Sequence, residues 1–487
     1  MMFKYIYLFI SQAMAAAQNT SQYLYRSTEL HEEYMAFIEK AVKLAKDKQQ
    51  GRRTGHKKGG ERKSRKEDGK KITLYVASAP YLHFRTVWEI ISKIKDVSNL
   101  QVMYYFRDTY YEELLHPEKK ATRRRSAQKA RRLIEEGTEE ERELMELYFD
   151  ENENHEVRLS SSSSEEKLYF HTKWAAFHDD EYGQVQLLLT SANLTYDHLK
   201  DDQDAGSRIV NSLIEIERPY IEFQEQFVKP INMSISDGPA DQAARVENRD
   251  DNDRNSPQKA GNYSNVEIYK QVQRFVAEAV NHCAQHHQDT SEKAELHVVS
   301  AFFADEVILK SLLDQTQQAR KDNHLRMSIV FKDENDYAKG LKKLNEDTKE
   351  LGNTQDWTTG VEIIRAKDFH HKFLGYGPVV GQDQEEETYQ VLMMSDNVDT
   401  QHMSVNENPS HHNLDWVTKI PVEKQDYVNM LRLTTLPKIS GDELKDSKEK
   451  FDAMNCISLD DLVKRCEAVS VNQLSKHLQE LELSSSS

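Results

Sequence analysis

The chain has 487 residues, long enough for two or three domains. Lys and Arg number 65 and Asp and Glu 82, a formal net charge of −17, which excludes a protein coated with positive charge such as a histone-like DNA wrapper. Cys283, Cys456 and Cys466 are too few for a disulfide scaffold and match no zinc-ribbon spacing, which favours a reducing compartment. No apolar run reaches the roughly 18 residues of a transmembrane helix.

The first residues allow two interpretations. Residues 1–17 read MMFKYIYLFISQAMAAA, with one basic residue, a short apolar run and small residues, in the manner of a weak signal peptide. The apolar run Tyr5–Ile10 is shorter than the usual core of about 7–15 residues. We therefore expect translation to begin at Met14, with cleavage of a leader as the alternative.

Two basic stretches follow. Apolar residues at helical spacing over Tyr23–Ala45 predict a helix that packs on the first domain. Lys46–Lys71 then holds 12 Lys or Arg against 4 Asp or Glu and almost no apolar residues, which predicts a disordered basic loop. Lys119–Arg132 is also basic. Either stretch can track nucleic acid. The first can also be a nuclear import signal or a solvated linker. The second has helical character, and the acidic stretch Glu135–Glu156 that follows can neutralise it.

Two halves of the chain repeat the same pattern, which indicates duplication. Leu74–Ala79 and Leu296–Ala301 are apolar strand-like runs, followed after 26 and 29 residues by Leu100–Asp108 and Leu325–Asp333. A helical pattern in each gap predicts strand–helix–strand units with parallel pairing. We predict an N-terminal helix and basic loop (1–71), a first half (72–236), a polar linker (237–263), a second half (264–437) and a C-terminal helical tail (438–487).

A short motif recurs later in each half. Phe-His-x-Lys ends at Lys173 in the first half and at Lys372 in the second, and each copy precedes an apolar strand that ends in Ser-x-Asn. Residues i and i+2 of a strand share a face, so each His and Lys point the same way, and the Asn of the adjacent strand can join them. The predicted site comprises His171, Lys173, Asn193, His370, Lys372 and Asn397.

This set of groups suits a phosphodiester. Lys and Asn can bind non-bridging oxygens as the phosphorus becomes five-coordinate. One His can attack phosphorus while the other protonates the leaving oxygen and then activates water. The chemistry needs no metal and no cofactor.

The paired motifs in a duplicated α/β chain resemble the phospholipase D superfamily over roughly residues 72–437. The family pattern usually has an Asp five residues after the Lys; here His178 and Gly377 stand there, with Asp179 one place late. Loss of that Asp with retention of Asn resembles the tyrosyl-DNA phosphodiesterase branch. The resemblance implies two α/β/α halves packed face to face around mixed, largely parallel sheets. It also implies that His171 is the nucleophile and His370 the acid/base, although the roles can be reversed.

Supporting residues are predicted beside this set. Ser191 and Ser395 are expected to orient the phosphate or the Asn. The resemblance implies an acidic partner for each His, and Asp204 and Asp415 are the candidates by sequence distance. The remaining histidines near the motifs are expected to be structural: His178, His371, His411 and His412.

The sequence thus predicts an intracellular phosphodiesterase, nuclear rather than cytoplasmic, that acts as a monomer through a phosphohistidine. Nucleic acid is the expected partner, in DNA-end processing. One alternative is a phospholipase D-type hydrolase or transferase at a phospholipid membrane. Another is a non-catalytic nucleic-acid-binding module. Secretion stays open through the N-terminal segment.

Overall fold

In a computed structural model of the chain, the residues whose structure is described fall into separate ranges. They are 22–55, 71–79, 82–116, 137–151, 153–160, 168–179, 183–195, 209–236, 260–303, 305–332, 340–341, 343–344, 359–366, 369–380, 387–400, 402–406, 412–434 and 461–466.

The described strands and helices alternate in the manner of an α/β protein. The strands are β1 (Leu24–Arg26), β2 (Ile72–Ser78), β3 (Leu100–Arg107), β4 (His155–Ser160), β5 (Leu168–Phe170), β6 (Lys173–Asp179), β7 (Gln184–Thr190), β8 (Val210–Pro219), β9 (Gly261–Ser264), β10 (Ala294–Ser300), β11 (Leu325–Lys332), β12 (Val361–Ala366), β13 (Lys372–Val380), β14 (Glu387–Met394) and β15 (His412–Glu423). The helices are α1 (Ser27–Gly55), α2 (Phe84–Ile94), α3 (Asp108–Leu115), α4 (Glu139–Glu151), α5 (Tyr220–Phe223), a π-helical turn (Gln224–Val228), α6 (Lys229–Ser236), α7 (Asn265–Thr290), α8 (Val307–Lys321) and α9 (Lys424–Leu433).

The two halves have equivalent sheets. The first runs β1-β8-β7-β6-β2-β3-β4, and the second runs β5-β15-β14-β13-β10-β11-β12, with β9 also paired to β15. The predicted strand–helix–strand units are confirmed, because β2 pairs parallel with β3, and β10 with β11. The α/β fold class and the duplication are therefore correct.

One detail of the predicted sheets is wrong. Both sheets are mixed, but among the described strands antiparallel pairs outnumber parallel ones. The strands that follow each motif, β6 to β8 and β13 to β15, run back and forth as neighbours. Parallel pairing needs a long crossover, and the crossovers between described strands of each half lie before its motif.

The halves pack face to face through one apolar core. Trp174 and Tyr105 from the first sheet belong to the same buried cluster as Phe373 and Trp416 from the second. Trp416 also donates its indole N–H to the carbonyl of Thr190 at 2.9 Å, which satisfies a buried donor across the interface. Trp174 and Phe373 follow the motif lysines and point to the opposite strand face, which places both in this core.

The N-terminal helix packs on the first half, as predicted. Tyr34, Ile38 and Ala41 of α1 are buried with Leu74 and Ile91 in the core of that half. The prediction of a disordered loop from Lys46 is wrong for its first part, because α1 continues to Gly55. Lys48, within this part, pairs with the buried Asp179. The rest of the basic stretch, residues 56–70, lies outside the described residues.

Other predicted segments are only partly described. Residues 461–466 of the predicted tail are helical, and Leu462 and Cys466 are buried in the inter-half core. Residues 119–132 and most of the predicted linker lie outside the described residues. None of the described helices is long and apolar enough to cross a membrane.

Candidate active site

Each His-x-Lys motif lies where the two sheets meet. Before the first motif, β5 leaves its own half and pairs parallel with β15 of the second. Before the second motif, Phe369 forms a parallel bridge to Val210 of β8 in the first half. The N–H of His171 donates to Leu414 O at 2.8 Å, and that of His370 to Val210 O at 2.8 Å. A pseudo-twofold relationship therefore brings the two histidines to one interface.

His171 is held by a carboxylate of the opposite half. Its Nδ1 lies 3.0 Å from Oδ1 of Asp415, which follows Leu414 on β15 and is completely buried. Because the carboxylate can only accept, the proton of the ring lies on Nδ1, which leaves Nε2 with its lone pair. Asp415, predicted from sequence distance alone, occupies the predicted place beside a histidine.

His370 has a different partner. Its Nδ1 lies 3.1 Å from the backbone carbonyl of Ser191, so here too the proton is fixed on Nδ1. The position equivalent to Asp415 is Asn211, which follows Val210 on β8. Asp204, predicted as an acidic partner, lies outside the described residues. The two histidines thus differ, since His171 faces a buried carboxylate and His370 a backbone carbonyl.

The two serines do not take the role predicted for them. Ser395 Oγ donates to Asp415 Oδ1 at 2.7 Å and accepts from Trp416 N at 3.1 Å. Ser191 Oγ repeats this in the first half, with Asn211 Oδ1 at 3.3 Å and Ser212 N at 2.9 Å. Both serines are buried and satisfied by the neighbouring strand. They orient the residue behind each histidine rather than a phosphate or the Asn.

Each lysine lies against the histidine of its own motif. Lys173 Nζ lies 3.0 and 3.3 Å from the two ring nitrogens of His171, and Lys372 Nζ lies 3.3 and 3.2 Å from those of His370. Both lysine side chains are almost completely buried. Two ammonium groups held in a low-dielectric interface form a strong binding site for an anion.

Burial determines the protonation of this site. It lowers the pKa of His171 to about 3, with the Lys173 ammonium adding to the effect, so the imidazole is neutral near pH 7. Burial also lowers the pKa of Lys173 to about 8. Burial and the nearby Lys173 ammonium lower the pKa of Lys372 to about 7. Burial opposes ionisation of Asp415, but His171 keeps the pKa of that carboxyl below its usual value. The site therefore pairs a neutral nucleophile with cationic phosphate ligands.

The Ser-x-Asn turns follow β7 and β14, the strands that pair with the motif strands β6 and β13. Asn193 is buried, and Asn397 is half-buried with its side-chain oxygen shielded from solvent. Asp396, between Ser395 and Asn397, has an oxygen 3.7 Å from His171 Nδ1. Burial and the adjacent Asp415 carboxylate raise the pKa of Asp396 well above its usual value, which favours the protonated form of this carboxyl.

The site also contains a third histidine, which the sequence analysis did not single out. The His402 ring centroid lies 5.1 Å from that of His171, and its Nδ1 lies 2.8 Å from Oδ1 of the buried Asp399. Both residues follow the second Ser-x-Asn closely in sequence. A signal was present, because a His follows the Asn of each Ser-x-Asn by five residues, at His198 in the first half and His402 in the second.

Among the residues that the structure describes, two groups of side chains are close enough to hold a metal ion. They are His171, Asp396 and His402 in the site, and Glu295, His297 and Cys466 beneath the helix at 461–466, with ligand atoms in each group within 4.8 Å of one another. Lys173 lies beside the first group. Arg465 binds Glu295 in the second at 2.7 Å. Fixed positive charge at both places favours anions over a metal cation.

Two nearby histidines are structural, as predicted. The ring of His178 stacks on Tyr220 with centroids 3.9 Å apart. His371 is completely buried, and its two nitrogens lie 3.2 Å from Val210 O and 3.0 Å from Thr434 Oγ1. Burial lowers its pKa to about 3. His411 lies outside the described residues, and of His412 only the backbone is described.

Comparisons with known proteins give structural likenesses only. No family model matches the chain, and no curated protein matches it. Polyphosphate kinase from Porphyromonas gingivalis is similar at 9% identity and a TM-score of 0.39, over 78% of this chain and 51% of that one. Phosphatidylserine synthase of Haemophilus influenzae is similar at 12% identity and a TM-score of 0.45, over 96% and 98% of the two chains. A mutant of yeast tyrosyl-DNA phosphodiesterase 1 is similar at 9% identity and a TM-score of 0.37, over 73% and 83%.

The chain spans about half the length of the polyphosphate kinase.

Proposed function

We propose that this chain is a metal-independent phosphodiesterase that works through a phosphohistidine on His171. The observation that carries the proposal is the contact between His171 Nδ1 and Asp415 Oδ1 at 3.0 Å, within an interface that also holds both motif lysines. A neutral imidazole whose Nδ1 proton is fixed has its lone pair on Nε2. That is the form of histidine that attacks phosphorus.

In the first step, Nε2 of His171 forms a bond to phosphorus and the bond to the leaving oxygen breaks. His370, which begins the reaction protonated on both ring nitrogens, gives its Nε2 proton to that oxygen. Lys173 and Lys372 bind the non-bridging oxygens while charge develops on them. Asp415 stabilises the positive ring of the phosphorylated His171, because a buried carboxylate at hydrogen-bond distance favours the cation.

In the second step, His370 takes a proton from a water molecule, whose oxygen bonds to phosphorus. The bond from phosphorus to Nε2 of His171 breaks and the electron pair returns to the ring. The enzyme is then in its starting state, and the sum of the two steps is hydrolysis of one phosphodiester bond.

We propose nucleic acid as the source of the phosphodiester, as in the processing of DNA ends, and the nucleus as the place of action. The basic stretches 56–71 and 119–132 support this, because clustered Lys and Arg bind phosphate backbones. Lys48 is not part of this support, since it pairs with Asp179. Both motifs lie in one chain, so we propose that a monomer suffices.

The test is turnover in EDTA of two substrates, a single-stranded oligonucleotide with a 3′-tyrosyl group and a phosphatidylcholine vesicle. We expect cleavage of the oligonucleotide alone, abolished in His171→Ala and in His370→Ala and weakened steeply by salt. The variant His178→Gln is the matched control, since His178 stacks on Tyr220 away from the site. Cleavage of the vesicle alone would replace nucleic acid with phospholipid, and activity lost in EDTA would contradict the metal-independent mechanism.

A further inference from the structure

Beside the two motif histidines, the site contains a second histidine backed by an aspartate. His402 Nδ1 lies 2.8 Å from Asp399 Oδ1, just as His171 Nδ1 lies 3.0 Å from Asp415 Oδ1. The two imidazole rings are 5.1 Å apart between centroids and tilted by 52°. The side chain of His402 is 14% exposed and that of His171 is 17% exposed, so both remain reachable from solvent.

The backbone holds His402 in this place. The carbonyl of Asp399 accepts from His402 N at 3.2 Å and from Met403 N at 2.9 Å, which closes a tight turn. Met403 is completely buried in the core of the second half, and so is Val398 before the turn. With both ends anchored in the core and Nδ1 tied to Asp399, the ring of His402 has little freedom.

We propose that His402 is a third catalytic histidine, which binds a non-bridging oxygen of the phosphoryl group while that group is attached to His171. This inference rests on the proposed function. Because Asp399 holds Nδ1, a proton on Nε2 is the donor that reaches the oxygen, and the buried carboxylate balances the charge of the ring. No bond to phosphorus is made by His402.

The position of His402 separates its role from that of His370. The leaving group must depart opposite to the attacking Nε2 of His171, and His370 serves that side in the proposed mechanism. A ring packed beside the nucleophile cannot also lie in line behind the leaving oxygen. It can lie beside the equatorial oxygens, where Lys173 and Lys372 also act.

The test is calorimetric titration with orthovanadate, which adopts a five-coordinate geometry, in buffer freed of metal ions with a chelating resin. Metal removal keeps an ion from bridging His171, Asp396 and His402. We expect His402→Ala to bind vanadate about 10- to 100-fold more weakly than wild type, because it lacks one hydrogen bond to a charged group. His402→Gln, which keeps an amide donor, should lose less, and Asp399→Asn should fall between the two.

The matched control is His324→Gln. His324 stacks on His287 with ring centroids 4.4 Å apart. It precedes β11 and lies at the end of the strands of the second sheet that is opposite to Lys372. Equal vanadate affinity in wild type, His402→Ala and His402→Gln would overturn this inference and leave the proposed function standing. A loss of the same size in His324→Gln would overturn it as well. Wild-type protein that does not bind vanadate would contradict the proposed function itself.

Discussion

His171 Nδ1 and Asp415 Oδ1 lie 3.0 Å apart and come from opposite halves of the chain. The equivalent position behind His370 is occupied by Asn211, which cannot carry a negative charge. A duplicated fold thus has two similar histidine environments of different charge. Only the first is suited to stabilise a histidine that becomes positive when it is phosphorylated.

The first prediction concerns this asymmetry. Asp415→Asn keeps the shape of the side chain but removes its charge and allows the wrong tautomer of His171. We expect turnover to fall by about 10²- to 10⁴-fold, as for other histidines that lose an orienting carboxylate. The measurement is the rate constant of the first chemical step, obtained in a single-turnover assay.

The matched control is Asn211→Asp, which places a carboxylate at the position of β8 that corresponds to Asp415 on β15. We expect a smaller loss there, because His370 Nδ1 is already fixed by the carbonyl of Ser191. A larger loss in Asn211→Asp than in Asp415→Asn would reverse the assigned roles of the two histidines.

The second prediction concerns pH. The pKa of Lys372 is about 7 and that of Lys173 about 8, and both lysines are charged only below these values. The ability to bind phosphoryl oxygens is therefore complete at low pH and is lost as the pH rises through 7 to 8. His171, with a pKa of about 3, stays neutral above about pH 4. We expect kcat/KM to decline on the alkaline side, in a profile measured from pH 5 to 9.

A matched variant identifies the group responsible. Lys372→Arg keeps its charge at every pH in this range, so the alkaline decline should move upward even if overall activity is lower. An alkaline limb unchanged in both Lys372→Arg and Lys173→Arg would contradict the assignment.

The third prediction concerns the helix at 461–466. Arg465 lies 2.7 Å from Glu295 Oε1 and 2.5 Å from Glu362 Oε2, and Glu295 is buried. Arg465→Ala leaves these carboxylates without their nearest cation, so we expect the free energy of unfolding to fall by about 3 kcal/mol. Urea denaturation measures this loss.

Arg326→Ala is the control for that loss, because Arg326 lies farther from the same two carboxylates, at 3.8 and 3.9 Å, and is more exposed. It should cost less than about 1 kcal/mol. Equal losses in the two variants would show that the helix contributes no specific contact.

Much of the site followed from sequence because duplication doubles each signal. One His-x-Lys is common by chance, but two copies before equivalent strands placed His171, Lys173, His370 and Lys372 correctly at one interface. Alternation along a strand then determined which side chains share a face. The catalytic roles of these residues, and of Asn193 and Asn397, remain predictions.

The remainder depended on contacts between distant segments. The parallel pairing of β5, from the first half, with β15 of the second half brings Asp415 to His171. No local pattern in the sequence specifies that pairing. The histidine five residues after each Ser-x-Asn, His198 and His402, is a repeated signal in the sequence, but its contact with His171 depends on the fold. Likewise, the raised pKa of Asp396 results from burial beside Asp415, and burial of this kind cannot be read from the sequence.

The central claim is a phosphoryl group on His171, and trapping it is the most direct test. Wild-type protein is mixed with a 3′-tyrosyl oligonucleotide and quenched in base, which preserves phosphohistidine, and its peptides are sequenced by mass spectrometry. The account predicts an adduct on His171 of wild-type protein that is absent in His171→Ala. Turnover without any adduct, or an adduct on His370 alone in wild-type protein, would contradict it.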